Sequence, residues 1–339
     1  MKFKNQLMMG FGALRANLFG TRLPLNVMYS ITNRCLSHCN YCDIPTRNQV
    51  ELTTVQSIDL IDQITAAGAQ RIGIWGGEPL VRKDISEIID YSKRKGLFVS
   101  LDTNGYLVPK MIDKIKNIDI LVISFDGPEE AHDANREKGS YKKCMEAIKV
   151  ATKEMSVWTI TVLTKNNLDS IDFILDKARK YGFFATFQLL HHNAKMAGDT
   201  SGLKPTHAEY RKTIEKIIEE KRRGAPIVSS LPYLKHLLNW EDLTVPQIFN
   251  HNERKIVKCW AGLLYCNVDV DGSVYPCSIV IDEMESKNFL EVGFKKAFDF
   301  AKQNRCKACT ASCYTEYNYM FSFHPMVIWN WIDFMRKSR

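Results

Sequence analysis

A regular alternation of strand-like and helix-like segments over residues 23–190 constrains the fold of this chain more than any other feature. Short runs rich in β-branched and aromatic residues are followed by amphipathic stretches, which is the pattern of parallel strands joined by crossover helices. The pattern predicts an α/β fold with six strands, too few for a full barrel, whose strand carboxyl ends carry the functional site. The predicted strands are residues 25–31, 71–75, 98–102, 118–124, 158–163 and 185–190, and the predicted helices include residues 54–67, 85–95, 141–154 and 168–181.

The alternation stops near Pro205, where a polar helical stretch leads into a region whose cysteines lie among glycine, aspartate and proline. We therefore predict three parts. They are a basic amphipathic N-terminal helix over residues 1–22, a barrel over residues 23–235, and a small cysteine-rich domain with an aromatic C-terminal helix over residues 236–339.

The ten cysteines are clustered, because nine of them lie within residues 35–42 and 259–313 and only Cys144 stands alone. Such close spacing indicates metal ligands, whereas a secreted disulfide framework would need a signal peptide that the N-terminus does not resemble. No apolar run reaches transmembrane length. Lysine and arginine are interspersed with acidic residues, so the formal charge of +8 does not indicate a nucleic-acid partner. We expect a metal-binding protein of the reducing cytoplasm.

The first cysteine group directly follows the first predicted strand. Cys35, Cys39 and Cys42 have the spacing C-x3-C-x2-C on a loop. Three thiolates can hold three corners of an iron–sulfur cubane and leave the fourth iron open to another ligand. The alternative is a zinc site completed by His38, which would require that side chain to fold back inside a tight loop.

This spacing, with an aromatic residue at Tyr41 before the last cysteine, resembles the signature of the radical S-adenosylmethionine superfamily. The resemblance implies an enzyme with a partial (β/α)6 barrel of the TIM type and a [4Fe–4S] cluster whose open iron binds S-adenosylmethionine. It implies reductive cleavage of that cofactor to a 5′-deoxyadenosyl radical, which abstracts hydrogen from a substrate. It also implies a reductant such as flavodoxin or ferredoxin.

Three further segments follow the second, third and fourth predicted strands in the order that the family requires. They contain residues 76–79, then Asn104, then Ser124 and Asp126. The resemblance assigns them to S-adenosylmethionine, with the Glu78 carboxylate accepting from the methionine ammonium. Each segment alone would more often be an ordinary turn, and only their joint order with the cysteines supports the assignment. The stretch 124–141 further resembles family members with extra clusters. The residues assigned to S-adenosylmethionine are Tyr41, Gly76, Gly77, Glu78, Pro79, Asn104, Ser124 and Asp126.

The second cysteine group resembles the SPASM and twitch domains that hold auxiliary [4Fe–4S] clusters. Asp271 and Gly272 predict a hairpin that brings Cys266 and Cys277 together, and a helix over residues 293–303 would return a C-x2-C pair to the same place. The candidate ligands are Cys259, Cys266, Cys277, Cys306, Cys309 and Cys313.

Two allocations of these ligands stay open, and the resemblance implies one or two auxiliary clusters. One reading places a single cluster on Cys259, Cys277, Cys306 and Cys309, and the other spreads all six cysteines over two clusters. A structural zinc ribbon is the alternative to a cluster. Cys144 is expected to be a small core residue.

Neither the substrate nor the reaction outcome follows from the resemblance. We expect oxidation or another radical modification of a small-molecule, lipid-like or peptide substrate. Ser278 stands where sulfatase-maturing relatives have a catalytic aspartate, which counts against formylglycine formation. His191 and His192 follow the sixth strand, but no acid–base role is assigned to them. The rival hypothesis is a non-catalytic zinc or iron–sulfur binding or electron-transfer protein, which explains the cysteines but not residues 76–79.

Both ends of the chain are apolar and basic. Near the C-terminus, residues 326–335 include Trp329 and Trp331 and precede a basic end. Either end could contact a membrane surface, whereas the simpler expectation is that both helices pack over the barrel and the cluster domain. The apolar residues at helical spacing near the N-terminus are Phe3, Leu7, Met8, Phe11, Leu14 and Leu18.

Overall fold

The computed structural model describes residues 3–191, 196, 200–248, 257–302 and 308–337. The helices are α1 (Phe3–Phe19), α2 (Thr54–Ala66), α3 (Ile85–Arg94), α4 (Val108–Ile115), α5 (Glu129–Asn135), α6 (Ser140–Glu154), α7 (Ile171–Tyr181), α8 (His207–Arg222), α9 (Leu231–Leu238), α10 (Phe289–Val292), α11 (Phe294–Phe300), α12 (Ser312–Phe321) and α13 (Pro325–Lys337). The strands are β1 (Asn26–Thr32), β2 (Arg71–Gly76), β3 (Phe98–Thr103), β4 (Ile120–Ser124), β5 (Val157–Leu163), β6 (Phe184–Leu189), β7 (Gln247–Ile248), β8 (Tyr265–Val268), β9 (Ser273–Tyr275), β10 (Lys287–Asn288) and β11 (Ala308–Cys309).

Strands β1 to β6 lie side by side in chain order, and each pairs in parallel with the next. The six predicted strands are therefore confirmed, with bounds shifted by one or two residues. The predicted α/β partial barrel is also confirmed. Helices α4 and α5 were not predicted, because at 8 and 7 residues they are too short for an apolar stripe to repeat.

Helix starts follow local side-chain chemistry. Thr53 and Gln56 form a reciprocal capping box before α2, and Thr206 and Glu209 form another before α8. Each box satisfies backbone N–H groups that have no partner within the helix. These signals are readable in the sequence, so the barrel helices begin where the pattern predicts.

The C-terminal part continues the barrel sheet instead of forming a separate one. Strand β8 pairs in parallel with β1, and β9 and β10 extend the sheet to nine strands. The predicted hairpin at Asp271 and Gly272 is present between β8 and β9. The predicted domain boundary at residues 235/236 lies inside helix α9. Paired backbone hydrogen bonds cross from one predicted part to the other.

Helix α12 lies across the lateral gap between the first and last strands of the partial barrel. The Ser312 hydroxyl donates to Gln188 Oε1 on β6 at 3.1 Å, and the Tyr314 ring stacks on Tyr265 of β8 at 5.2 Å. Asn318 Oδ1 also accepts from the Tyr265 hydroxyl at 2.9 Å. Helix α12 therefore closes the barrel at its open side.

Helix α1 presents the opposite face to the one expected from its apolar stripe. Small and medium side chains, including Met9, Ala13 and Ala16, pack against the α12 region, whereas the larger apolar side chains point outward. The Asn17 amide donates to the Phe321 carbonyl at 2.8 Å, and the Asn5 amide donates to the Gly96 carbonyl at 2.9 Å. The packing expectation is therefore wrong for the stripe, because close approach of the helix selects small residues.

Candidate functional site

The cysteine loop begins where β1 ends, at the carboxyl end of the parallel strands. Cys35, Cys39 and Cys42 are all half-buried. Cys35 and Cys39 lie close enough to Cys42 to raise its pKa. Burial raises the pKa of the Cys42 thiol to about 11. The three predicted thiols are therefore brought together in a site partly shielded from water.

Hydrogen-bond donors surround these sulfur atoms. The Ser37 N–H lies 3.4 Å from Cys35 Sγ, and the Ser37 hydroxyl lies 3.4 Å from Cys39 Sγ. The Asn104 amide donates to Cys35 Sγ at 3.7 Å, and the Arg136 guanidinium donates to Cys39 Sγ at 3.6 Å. Donors around thiolates stabilise their negative charge and tune the potential of an iron–sulfur cluster.

Gly76 and Gly77 let the end of β2 pass against the backbone of the cysteine loop. The Gly77 N–H donates to the Thr32 carbonyl at 2.8 Å, and the Glu78 N–H donates to the Arg34 carbonyl at 2.8 Å. A Cβ atom on Gly77 would lie 2.4 Å from the Arg34 oxygen, and Gly76 has φ 139°. Glycine is therefore required here for a close approach between two protein segments.

The Glu78 carboxylate is used within the protein. Its side chain is fully buried and accepts from the Thr103 hydroxyl at 2.8 Å, the Asn104 N–H at 2.8 Å and the Leu80 N–H at 3.0 Å. Burial raises the pKa of this carboxyl to about 7. Its oxygens are bonded to β3 and to its own loop, and contact with the methionine ammonium stays a prediction.

Asp126 has a corresponding role beside β4. It is fully buried, forms a 2.7 Å ion pair with Arg136, and accepts from the Tyr41 hydroxyl at 3.3 Å and the Val162 N–H at 3.0 Å. The Arg136 guanidinium also lies 5.8 Å from the Tyr41 ring centroid. Asp126 therefore holds the loop residues that flank the cysteines.

The predicted cofactor residues divide by accessibility. Tyr41, Gly76, Gly77 and Ser124 are half-buried and keep accessible surface. The other four are buried and bonded or packed within the protein. They are Glu78, Pro79, Asn104 and Asp126.

A cavity of about 230 Å³ adjoins the cysteine loop. Its wall includes Tyr41 and Cys42 on one side, Trp75 and Gln188 from the barrel, and the region around Cys313 from α12. Among the described residues that line it, none is Lys, Arg, Asp or Glu. His191 lines it as well, and burial lowers its pKa to about 4, so the imidazole is neutral.

Three cysteines of the second group meet around Tyr265. Cys259 Sγ lies 3.7 Å from the Tyr265 hydroxyl. Burial raises the pKa of Tyr265 well above its usual value, and the neighbouring charges of Cys259, Cys277 and Cys309 raise it further. Residues far apart in the sequence therefore converge on one place beneath α12.

Cys266 lies apart from that convergence. It pairs with Val27 across β1 and β8 and shares the hydrophobic core on that face, whereas the adjacent Tyr265 faces the other way. Asn267 pairs with Tyr275 across the hairpin, so two residues further along Cys277 lies opposite Tyr265 and not opposite Cys266. The expectation that the hairpin brings Cys266 and Cys277 together is therefore wrong. A slip of one residue along a strand reverses the side-chain face.

The remaining cysteines occupy other environments. Cys313 opens into the cavity beside the cysteine loop and into a second cavity in the barrel lumen. Cys144 is buried, as expected, and its thiol donates to the Ser124 carbonyl at 3.1 Å. Cys306 and His192 lie outside the described residues. Both ligand allocations stay predictions.

The donor set fits iron–sulfur clusters better than a single zinc ion. Within the described ranges, no three Cys, His, Asp or Glu side chains converge closely enough to hold one metal ion, whereas tetrahedral zinc needs thiolates about 2.3 Å from a common centre. His38 is exposed, so it does not fold back among the thiols. Separated soft ligands surrounded by N–H and O–H donors suit a larger cluster.

A partial parallel barrel with three cysteine thiols at its strand ends and a cysteine-rich extension defines a class of iron–sulfur enzymes. The model of the radical SAM superfamily matches residues 29–178. Mycofactocin maturase MftC of Mycolicibacterium smegmatis is 27% identical over 283 residues, which are 81% of this chain and 69% of the relative. An AdoMet-dependent heme synthase of Methanosarcina barkeri is 26% identical over 298 residues, 83% of this chain and 84% of the relative.

Solved structures show the same fold. Streptococcus suis SuiB bound to S-adenosylmethionine aligns with a TM-score of 0.66 and 15% identity over 86% of this chain and 68% of its own. Native anSMEcpe with bound AdoMet and Cp18Cys peptide aligns with a TM-score of 0.64 and 16% identity over 91% of this chain and 99% of its own.

Residues 29–178 match the radical S-adenosylmethionine domain, and a cysteine-rich C-terminal region follows them. The chain is therefore an enzyme that cleaves S-adenosylmethionine reductively and uses the resulting radical to modify a substrate. The cofactors of this domain are a [4Fe–4S] cluster and S-adenosylmethionine. The rival binding-protein hypothesis is wrong.

Sequence reasoning missed several residues that position this site. Ser37 and Tyr106 form a 3.3 Å hydroxyl contact beside the thiols, and Arg47 ties the cysteine loop to Asp269 of the hairpin region at 2.5 Å. Nothing in the spacing of these residues marks them, because their partners are distant in the sequence. Arg136 did lie in a stretch that resembles the family, but its contact with Cys39 depends on the fold.

Proposed function

We propose that Cys35, Cys39 and Cys42 hold the [4Fe–4S] cluster at which S-adenosylmethionine is cleaved. The observation that carries this proposal is the position of the three thiols, which share one loop at the strand ends, where Cys42 lines a cavity. With its cofactors bound, such a site supplies one electron to S-adenosylmethionine, which gives methionine and a 5′-deoxyadenosyl radical that takes a hydrogen atom from the substrate.

The protein's own part is to place the cofactor and to limit the access of water. We assign contact with S-adenosylmethionine to the backbone of Gly76 and Gly77, to Ser124 and to the Tyr41 side of the cavity, because these groups keep accessible surface. The buried residues position the segments that carry those groups and do not contact the cofactor themselves. They are Glu78, Pro79, Asn104 and Asp126.

For the auxiliary site we propose the four ligands Cys259, Cys277, Cys306 and Cys309. Support comes from the three described members, which surround Tyr265. The His236 ring contacts the Cys309 carbonyl at 3.2 Å, and the Thr315 hydroxyl donates to it at 3.0 Å. These contacts fix the backbone of the Cys309 loop beside α12.

The remaining partners are a reductant, for which we propose a flavodoxin or ferredoxin, and the substrate. The relatives differ on the second point, since MftC is named a maturase, another relative is a heme synthase, and SuiB has been solved with its precursor peptide SuiA. Peptide and small-molecule substrates both occur among proteins of this fold. The substrate class of this chain therefore depends on its own cavities and surfaces.

The test is anaerobic reconstitution followed by measurement of 5′-deoxyadenosine with dithionite. Wild type is compared with the triple variant Cys35→Ala, Cys39→Ala, Cys42→Ala and with Cys144→Ala, whose buried thiol belongs to neither cysteine group. We expect wild type and Cys144→Ala to form 5′-deoxyadenosine and the triple variant to form none. The triple variant should retain iron and sulfide at the auxiliary site.

Two results would contradict the assignment. Cleavage of S-adenosylmethionine by the triple variant would place the cleaving cluster elsewhere. Zinc without acid-labile sulfide in the wild type would replace the cluster with a single-ion site.

A further inference from the structure

An extensive apolar surface covers one side of the molecule, formed by outward side chains of α1 and α13. Leu7 of α1 and Ile332 of α13 line one groove of about 340 Å³, so the two helices meet there, and Met326 and Trp329 of α13 line a neighbouring cavity. Contiguous exposed patches of this kind mark interaction sites. We call this surface the apolar face; its members, 38–77% exposed, are Leu7, Met8, Phe11, Leu14, Leu18, Phe19, Phe323, Met326, Trp329 and Ile332.

The charges beside the apolar face are mainly positive. Lys4 and Arg15 are exposed on α1, and no acidic residue occurs in residues 1–42. Arg336 and Lys337 end α13, where Asp333 is paired with Lys337 at 2.7 Å. Aromatic and aliphatic side chains beside basic residues are the composition of helices that lie in the interface of an anionic membrane.

Behind the apolar face, a series of cavities leads toward the cysteine loop. Trp331 lines both the surface groove and the lumen cavity of about 140 Å³, where its ring lies 6.0 Å from that of Trp158. Cys313 and Tyr314 line the lumen cavity and also the cavity at the cysteine loop. Cys42 borders that last cavity. Each cavity in this series therefore shares at least one lining residue with the next, from the apolar face to Cys42.

The walls of these spaces suit an apolar occupant. The groove has no charged residue among its described lining residues, and neither has the cavity at the cysteine loop. In the lumen cavity, Arg71, Asp102 and Glu316 are the charged groups among mostly apolar neighbours. A chain of carbon atoms gains free energy when it leaves water for apolar walls, whereas a charged peptide would lose hydration that the uncharged walls of the groove do not replace.

We propose that the apolar face binds the surface of an anionic phospholipid bilayer and that the enzyme takes from it a substrate with a long apolar chain, which reaches the cysteine loop through the lumen. This inference rests on the proposed function, because it needs the radical to form beside Cys42. Trp331 is the side chain that must move to join the groove to the lumen.

The first test is co-sedimentation of the reconstituted enzyme with vesicles of phosphatidylcholine, with and without phosphatidylglycerol. The variants Phe11→Glu and Trp329→Glu each place a charge on the apolar face, and Val55→Glu is the control at a position 76% exposed on α2. We expect wild type and Val55→Glu to bind the anionic vesicles, with binding weakened by salt. Phe11→Glu and Trp329→Glu should lose at least tenfold in partitioning while still forming 5′-deoxyadenosine in solution.

Two outcomes would overturn the docking surface. Equal partitioning of wild type and Phe11→Glu would show that the apolar face does not bind lipid. A dimer of the wild type that Phe11→Glu dissociates, without vesicle binding, would assign the face to a second copy of this chain.

The second test follows the abstracted hydrogen. The enzyme is supplied in vesicles with the lipid extract of its own cells grown in deuterated water, and 5′-deoxyadenosine is analysed by mass spectrometry. One C–D bond of the substrate breaks and one C–D bond forms at C5′, so deuterium in the product shows that a lipid is the substrate. Formation of 5′-deoxyadenosine without deuterium would overturn the lipid substrate and leave the proposed function intact. A fully reconstituted enzyme that forms none would instead contradict the proposed function.

Discussion

The two cysteine regions are built in different ways. The first places all its proposed ligands within eight residues, from Cys35 to Cys42, on one loop, and neighbouring strand ends brace that loop through Glu78, Asn104 and Arg136. The second draws its ligands from segments tens of residues apart, which meet only when β8, β9 and α12 have packed around Tyr265. A local motif can be recognised in the sequence, whereas a convergent one depends on topology.

The largest expected effect comes from removing one ligand of the second cysteine region. We expect Cys277→Ala to lose the auxiliary cluster, because an iron–sulfur cluster depends on all its thiolate ligands. Iron should fall by about four atoms per chain, the size of one [4Fe–4S] cluster. Cys266→Ala is the matched control, since Cys266 lies on the other face of β8, and it should retain all iron at a cost of about 1 kcal/mol. Equal iron loss in both variants would support the allocation over two clusters.

The brace of the first loop is tested by Arg136→Met. This change leaves the Asp126 carboxylate buried and without its 2.7 Å partner, which typically costs about 3–5 kcal/mol. It also removes a donor from Cys39. The measurement is urea unfolding, and the control is Arg179→Met, whose half-exposed guanidinium pairs with Asp176 and Glu220 and should contribute less than about 1 kcal/mol. Equal effects of the two changes would show that the buried pair does not brace the loop.

A smaller effect is expected from Gly77→Ala, which tests whether the site needs the close approach between β2 and the cysteine loop. The added Cβ would lie 2.4 Å from the Arg34 oxygen, so the cysteine loop must shift, at a cost of about 1–3 kcal/mol. Gly10→Ala meets no atom within 4 Å and serves as the control. We expect Gly77→Ala to lower 5′-deoxyadenosine formation while auxiliary iron is retained, and unchanged activity would argue against a brace at this point.

The smallest expected effect concerns the pH dependence of stability near the second region. Burial raises the pKa of Glu316 to about 7, so the folded protein keeps this proton at pH values where the unfolded chain has lost it. The free energy of unfolding should therefore fall as the pH rises from about 4.5 to 7, by roughly 1–3 kcal/mol. Urea titrations between pH 5 and 7.5 should show a flatter profile for Glu316→Gln, and an unchanged profile would assign the dependence to other groups.

The placement of individual side chains shows the limit of prediction from motifs. Residues 76–79 were assigned to the cofactor, yet the Glu78 carboxylate is enclosed and bonded to Thr103 and Asn104. The motif marks a segment that the site needs, but it does not say whether a side chain faces the ligand or the protein behind it. That choice depends on the distance between strand ends.

The ends of the chain illustrate the same limit. The apolar stripe of α1 predicted either packing on the core or contact with a membrane, and the structure shows the stripe exposed. In the part of the chain that the structure describes, no helix is both long and apolar enough to span a bilayer. The small residues Ala13 and Ala16 decided which face of α1 is buried, because they allow the helix to approach α12 closely.

The order of strands and helices in the barrel and the chemistry of the three-cysteine loop can be predicted from the sequence, because each depends on residues near one another in the chain. Capping residues, period-two strands and the spacing Cys35, Cys39, Cys42 are local signals. Only the tertiary structure decided which later cysteines meet, that β8 joins β1, that α12 closes the barrel, and that Glu78 and Asp126 face inward. These outcomes depend on strand register and on packing between distant segments, and neither can be predicted from a local sequence pattern.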